Sequence, residues 1–187
     1  MTMNLPFALE TDLERRIAAD PEWQAGIDWG KPRFGHMEGP VKYHIADVLA
    51  NIDRQCMTAD ERCVLRLVAL IHDTFKYRVD ESRPKIGTNH HAYIARKFAE
   101  RYIDDPVLLD LIELHDEAYN SWRLGAHRNR WHHAEERINN LMQRVGPALP
   151  LYVRFFHADS ETDSKDQAPV AWFEQLLQAR GLAFPLC

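Results

Sequence analysis

At residues 58–76 the chain reads TADERCVLRLVALIHDTFK. Thr58 followed by Glu61 is the capping-box pattern that begins a helix. The apolar residues that follow recur at helical spacing up to residue 71 and predict one buried face. The stretch therefore predicts a buried helix that ends at the pair His72 and Asp73.

Helical spacing of apolar residues continues on both sides of this stretch, and no long segment shows the strict alternation of a half-buried strand. Helices are expected over about 6–19, around residue 44, from residue 91, from Pro106, after Pro147 and over 168–180. Turn-forming glycines and prolines predict an irregular segment at 26–40. We therefore expect an all-α fold, a compact helical bundle in a single domain 1–187 whose core covers about 34–160.

Composition limits the classes of protein to consider. The chain has 187 residues, 45% of them hydrophobic, which is enough for a full core. A net charge of −5 gives no overall attraction to nucleic acid or to an anionic membrane. Three cysteines without metal-like spacing fit reduced thiols, and no apolar run approaches a membrane span. These features predict a cytoplasmic protein, and they leave a homo-oligomer open.

Histidine and carboxylate residues outline a candidate metal site. An imidazole and a carboxylate side by side at a helix end, as at His72 and Asp73, can both reach one metal ion. Other candidates are spread along the chain on apolar-patterned segments: His44 upstream, then His91 and His115, and finally Asp159, the first acid after a buried run.

The order His, His-Asp, Asp resembles the HD superfamily of metal-dependent phosphohydrolases. Residues 36–44, HMEGPVKYH, are similar to the segment that opens the HD domain of bacterial tRNA nucleotidyltransferases. The pattern of His72, Asp73 and Lys76 also resembles those domains. The resemblance implies that the core metal ligands are His44, His72, Asp73 and Asp159. It also implies a phosphate contact for Lys76.

The fuller pattern, with His91 and His115 included, resembles dinuclear HD proteins in which Asp73 would bridge two ions. Histidine and carboxylate ligands suit manganese, iron, cobalt, nickel or zinc, and magnesium is possible. The alternative of a site with a single ion, in which His91 and His115 are not ligands, stays open. On an ideal helix His91 faces inward and His90 points away, although a distorted first turn would exchange them. Asp116, next to His115, is expected to be a surface acid.

The resemblance implies a metal-dependent phosphohydrolase that acts through a metal-activated water, with Asp73 and Lys76 as its catalytic residues. The expected substrate is a nucleotide or another small phosphomonoester or phosphodiester. A diiron oxygenase and a non-catalytic nucleotide-sensing domain are the alternatives. The sequence shows no nucleotidyltransferase catalytic head, so the resemblance does not imply nucleotide transfer to tRNA. After His115 it also lacks the Gly-Tyr-Pro signature of cyclic-dinucleotide phosphodiesterases, so that specificity is not expected.

Arginine, histidine and tryptophan are concentrated at residues 122–133 in an otherwise acidic chain. Guanidinium groups bind phosphate and an indole can stack on a base. We therefore expect Arg123 and Arg128 to bind substrate at the mouth of a nucleotide pocket, although a solvated connection between helices is the competing interpretation of this segment.

Overall fold

The computed structural model describes residues 4–32, 39–162 and 165–184. Within these ranges it contains α-helices and short 3-10 turns and no β-strand, which confirms the all-α class. The α-helices are α1 (Asp12–Ala18), α2 (Pro21–Ile27), α3 (Val41–Asp53), α4 (Ala59–Ile71), α5 (His91–Ala99), α6 (Pro106–Leu114), α7 (Glu117–Arg128), α8 (Trp131–Val145), α9 (Leu149–Ser160) and α10 (Ala168–Ala179).

Helix α4 lies at the centre of the core and packs against α3, α6 and α9. Its N-terminus has the predicted capping box: the Thr58 side chain accepts from the backbone N–H of Glu61, and the Glu61 side chain accepts from that of Thr58. Its buried face includes Leu65, Val68 and Leu70. Because α4 is anchored on three sides, the residues that follow its last turn are delivered to the interior.

The N-terminal region differs from the expectation in two places. The first helix begins at Asp12 instead of near residue 6, because Thr11 caps it and accepts from the backbone N–H of Glu14. Gly26, expected in the irregular segment, lies within α2 and packs against the 3-10 turn Thr74–Arg78. His36 and Glu38 of the HD-like segment lie outside the described residues.

Helices α7 and α8 form an antiparallel pair, joined where Asn129 adopts a left-handed backbone conformation. The ring of Trp131 fills the space beside Gly125, so the two helices approach closely there. Helix α9 carries a strongly buried face back to the core, and α10 packs on α7 and α9 through residues that include Phe173 and Leu177.

Two further expectations can be compared with the described residues. None of the helices in this part of the chain has both the length and the apolar character needed to cross a bilayer. Cys63 is a free, exposed thiol, whereas Cys56 is disulfide-bonded, so the expectation of uniformly reduced thiols is wrong at Cys56.

Candidate metal centre

Six side chains that are far apart in sequence converge at one place in the interior. Each lies at or near a helix end: α3 supplies the first, the C-terminus of α4 the next two, and α5, α6 and α9 one each. They are the predicted ligands His44, His72, Asp73, His91, His115 and Asp159.

One half of the cluster is formed by two histidines and two carboxylate oxygens. Nε2 of His44 lies 2.9 Å from Oδ1 of Asp159 and 3.5 Å from Oδ2 of Asp73. Nε2 of His72 lies 3.3 Å from Nε2 of His44, 3.8 Å from Oδ1 of Asp159 and 3.7 Å from Oδ2 of Asp73. Four potential ligand atoms therefore face one small volume.

The other half uses the second oxygen of Asp73. Its Oδ1 lies 3.2 Å from Nε2 of His91 and 3.6 Å from Nε2 of His115. The two imidazole nitrogens are 3.3 Å apart. Asp73 thus stands between the two halves with one carboxylate oxygen directed to each, which is the placement required of a bridging ligand.

Two of the histidine rings are oriented by the helices that precede them. Nδ1 of His72 lies 2.9 Å from the Ala69 carbonyl, and Nδ1 of His115 lies 2.9 Å from the Ile112 carbonyl. A carbonyl only accepts, so each Nδ1 donates, and the carbonyl is one of those left unpaired at a helix C-terminus. The other ring nitrogen is thereby turned toward the cluster, as in metal-binding histidines.

Burial and charge act in opposite directions on the cluster. Burial is the largest influence on the pKa of His72 and lowers it to about 3, so this ring is neutral at pH 7. Burial alone would raise the pKa of Asp73, but Lys76 and the surrounding histidines outweigh it and hold that pKa well below its ordinary value. Lys165 and His44 do the same for Asp159.

His115 behaves differently from His72. Burial opposes its protonation, but the carboxylates of Asp116, Asp73 and Asp159 outweigh that effect and raise its pKa to about 9. The carboxylates therefore favour a positive charge in this half of the cluster. A bound cation can supply that charge in place of the proton.

A cavity of about 550 Å³ opens onto the cluster. Its wall combines acids and histidines of the cluster with four cationic side chains and several aromatic ones. The cations are Lys76, Lys85, Arg123 and Lys165, and the aromatic residues are Trp29, Tyr119 and Phe156. This volume is in the range of small-molecule sites, so the cavity can admit a small compound to the cluster.

The predicted substrate-contact residues are placed in different ways. Lys76 lines the cavity, and its ammonium contacts Oδ2 of Asp73. Arg123 also lines the cavity, with its guanidinium 5.6 Å from the centre of the Tyr119 ring. Arg128 is exposed at the end of α7 and is not among the residues that line this cavity.

Three residues near the cluster were not predicted as part of it. His90 caps α5, accepting at Nδ1 from the backbone N–H of Ala92, and its Nε2 lies 3.5 Å from Oδ2 of Asp116. Asp116, expected to be a surface acid, is partly buried and lines the cavity, 4.0 Å from Nε2 of His91. Lys165 lies six residues after Asp159, and its ammonium contacts the carboxylate of that residue.

The donor set fits a divalent transition metal. Imidazole nitrogens and carboxylate oxygens are its usual ligands, and the described part of the cluster contains no thiolate. The buried, oriented Nε2 atoms and the shared Asp73 match the requirements of a metal site, with either one ion or two.

Comparisons of this chain with protein-family models, with curated proteins and with solved structures give no match. The fold and the site define an all-α protein with a buried histidine and carboxylate cluster at the base of a cavity. The resemblance to the HD superfamily rests on the sequence motifs alone.

Proposed function

We propose that this protein is a metal-dependent phosphohydrolase of the HD type that acts on a small phosphorylated compound. The observation that carries the proposal is Asp73, whose two carboxylate oxygens face separate pairs of histidine nitrogens, His44 with His72 and His91 with His115. These residues, together with Asp159, would hold one or two divalent ions.

Four cationic side chains line the cavity together with five carboxylates, and the cationic groups support an anionic substrate. Four ammonium and guanidinium groups surround an opening that leads to the cluster. Charge-assisted hydrogen bonds from such groups to phosphate oxygens are among the stronger polar contacts in proteins. Lys76 is the cation nearest to Asp73 and is the predicted contact for the phosphoryl group as negative charge increases there.

The chemistry needs no nucleophile from the protein. A bound divalent ion supplies an activated water and polarises a phosphoryl oxygen. In hydrolysis the oxygen of water forms a bond to phosphorus, the ester oxygen leaves, and the protons of water are divided between the alcohol and the phosphate. The residues of this chain bind the phosphoryl group, orient it and keep the site partly enclosed.

The cavity also supports a nucleotide as one kind of substrate. Tyr119 lines it with 41% of its surface exposed, and Asn120 lies beside it on the wall. An aromatic face stacks on bases, and an amide can pair with a base edge. A substrate with a planar group would therefore gain contacts that a simple sugar phosphate lacks.

The test is release of phosphate from a panel of nucleotides and sugar phosphates by protein loaded with manganese, cobalt, nickel or magnesium. We expect release that depends on metal and that falls to the metal-free background in Asp73→Ala. Asp12→Ala, which changes an acid that is 94% exposed on α1, is the matched control and should behave as wild type. Protein that holds metal but releases phosphate from no compound would contradict the proposal.

A diiron oxygenase is a second candidate, because four histidines and a carboxylate shared between two halves also suit a pair of iron ions. Anaerobic loading with ferrous iron separates the two functions. Rapid oxidation that requires both substrate and dioxygen would favour the oxygenase. Turnover of a phosphoester without dioxygen would exclude it, and tight nucleotide binding without turnover would indicate a sensing domain.

A further inference from the structure

Two lysines that are far apart in sequence contact the same half of the metal centre. The ammonium of Lys76 contacts Oδ2 of Asp73, and the ammonium of Lys165 lies 2.9 Å from Oδ1 of Asp159. These two oxygens are the ones that face Nε2 of His44, at 3.5 and 2.9 Å. Two positive side chains therefore flank the half formed by His44 and His72.

Both lysines are available to a ligand in the cavity. Each lines its wall, with 19% of the Lys76 side chain and 20% of the Lys165 side chain exposed. The ammonium of Lys165 donates to Oδ1 and to the backbone carbonyl of Asp159, the latter at 2.7 Å. Because an ammonium has three donors, one N–H of Lys165 remains for a ligand.

The other two cations of the wall have different surroundings. Lys85 pairs with Glu81 at 2.6 Å, and Arg123 lies over the ring of Tyr119. Neither contacts a carboxylate of the cluster in the described residues. Lys76 and Lys165 are thus distinguished from them, because both are held at metal-centre carboxylates.

We propose that Lys76 and Lys165 form a two-ammonium clamp that selects phosphomonoesters over phosphodiesters. The inference rests on the proposed phosphohydrolase function and narrows its substrate class. A monoester carries close to two negative charges at neutral pH and three terminal oxygens, whereas a diester has one charge and two such oxygens. Two ammonium groups beside the same phosphoryl position match the two negative charges of the monoester. The single charge of the diester matches only one of them.

Binding of two small anions to the full-length, manganese-loaded protein tests the clamp without turnover. Inorganic phosphate at pH 8 represents the dianion and dimethyl phosphate the monoanion, and titration calorimetry gives both affinities. We expect wild type to bind phosphate more tightly than dimethyl phosphate. In Lys165→Gln the phosphate affinity should fall about tenfold or more, as for loss of a hydrogen bond between charged groups, with a much smaller change for dimethyl phosphate.

Three variants separate this role from a structural one. Lys165→Arg keeps the positive charge and should retain most of the preference for phosphate. Thr162→Val removes another donor to the Asp159 carbonyl, at 3.0 Å, and should leave phosphate binding unchanged although the turn after α9 is weakened. Lys97→Gln changes a surface lysine paired with Glu100 and should behave as wild type. Metal content is measured for every variant.

The clamp and the proposed function fail in different ways. Wild type that binds no phosphate, equal binding of the two anions, or an unchanged preference in Lys165→Gln would overturn the clamp, even if phosphoesters are hydrolysed. An equal loss of both anions in Lys165→Gln would also overturn it, because that result indicates a damaged metal centre. If wild type prefers phosphate and Lys165→Gln loses that preference, but no phosphoester is hydrolysed, the anion site is supported and the proposed hydrolase function is rejected.

Discussion

Asp73 is shared between the two halves of the centre, because each of its carboxylate oxygens faces a different pair of histidines. Asp159 differs from it. Among the histidines that the structure describes, only His44 and His72 have a ring nitrogen close to its Oδ1. Substitutions at the two acids should therefore have different effects on the number of ions bound.

We expect Asp73→Asn to lose metal from both halves, since an amide keeps the shape of the side chain but removes the negative charge that both pairs of histidines face. Asp159→Asn should weaken the half at His44 and His72 and leave the other half able to bind. Metal analysis after equilibrium dialysis gives the number of ions bound per chain. Asp12→Asn, on the surface of α1, serves as the control.

Equal metal content in Asp73→Asn and wild type would contradict this assignment. So would equal losses in the Asp73 and Asp159 variants, because the geometry gives Asp159 to one half alone. A fold check by circular dichroism is needed for both variants, since a buried acid is changed in each case.

At the residue scale, motif order predicted the six side chains that converge in the cluster. Helical register favoured His91 but left His90 open, and it is Nε2 of His91 that lies 3.2 Å from Asp73, whereas His90 faces Asp116. Asp116 was misjudged as a surface acid, because its burial depends on α7 and on the start of α5, which are distant in sequence. Lys165 carried no signal of its own. An isolated lysine after a helix is usually solvated, and only the folded structure shows its contact with Asp159.

At the scale of a helix, the capping box of α4 is the local feature that fixes where the central helix begins. Thr58→Ala removes the side-chain oxygen that accepts from the backbone N–H of Glu61. We expect this to lower the free energy of unfolding by about 1 kcal/mol. Urea unfolding of wild type and variant measures the difference. Thr58→Ser keeps the side-chain oxygen and should retain most of the stability that Thr58→Ala loses.

Helix α2 supports the turn that follows Asp73, and Gly26 is the point of closest approach. A Cβ atom at Gly26 would lie 1.9 Å from the Thr74 carbonyl oxygen. We expect Gly26→Ala to cost about 1 to 3 kcal/mol of stability, as overpacking in a core does. The displaced backbone of Thr74 should also weaken metal binding, because Asp73 is its neighbour in the chain.

Gly125→Ala is the matched control for this substitution. A Cβ there would lie 2.1 Å from Cε3 of Trp131, in the contact between α7 and α8. It should destabilise the protein while leaving the metal affinity of the folded form near that of wild type. Equal effects of the two alanines on metal affinity would show that α2 has no particular role in positioning Asp73.

At the scale of the whole molecule, a carboxylate between α2 and the end of α5 links stability to pH. Asp20 accepts from the Tyr102 hydroxyl at 2.6 Å and from the backbone N–H of Glu22 at 2.8 Å. Burial alone would raise the pKa of Asp20, but these hydrogen bonds and Arg101 outweigh it, and the pKa is lowered from 3.8. The stabilisation is therefore present above about pH 4 and is lost as the pH falls through the lowered pKa.

We expect Tyr102→Phe to lower the free energy of unfolding by about 1 to 2 kcal/mol at pH 7. The difference from wild type should shrink as the pH falls through the lowered pKa of Asp20, because the carboxylate then becomes protonated. Urea unfolding at several pH values measures it, with Tyr43→Phe, an exposed tyrosine, as the control. A difference that stays constant throughout the acid range in which wild type loses stability would show that the hydroxyl does not act through the Asp20 carboxylate.

The sequence by itself determined the all-α class, the start of α4 and the identity of the clustered histidines and acids. These depend on helical spacing, on capping residues within one turn and on the order of a motif, all of which are local. Only the tertiary structure decided which oxygen of Asp73 faces which histidines, that Lys165 returns to Asp159, and that Arg123 but not Arg128 lines the cavity. Such contacts join residues far apart in the chain, so their distances follow from how α3, α5, α6 and α9 pack around α4.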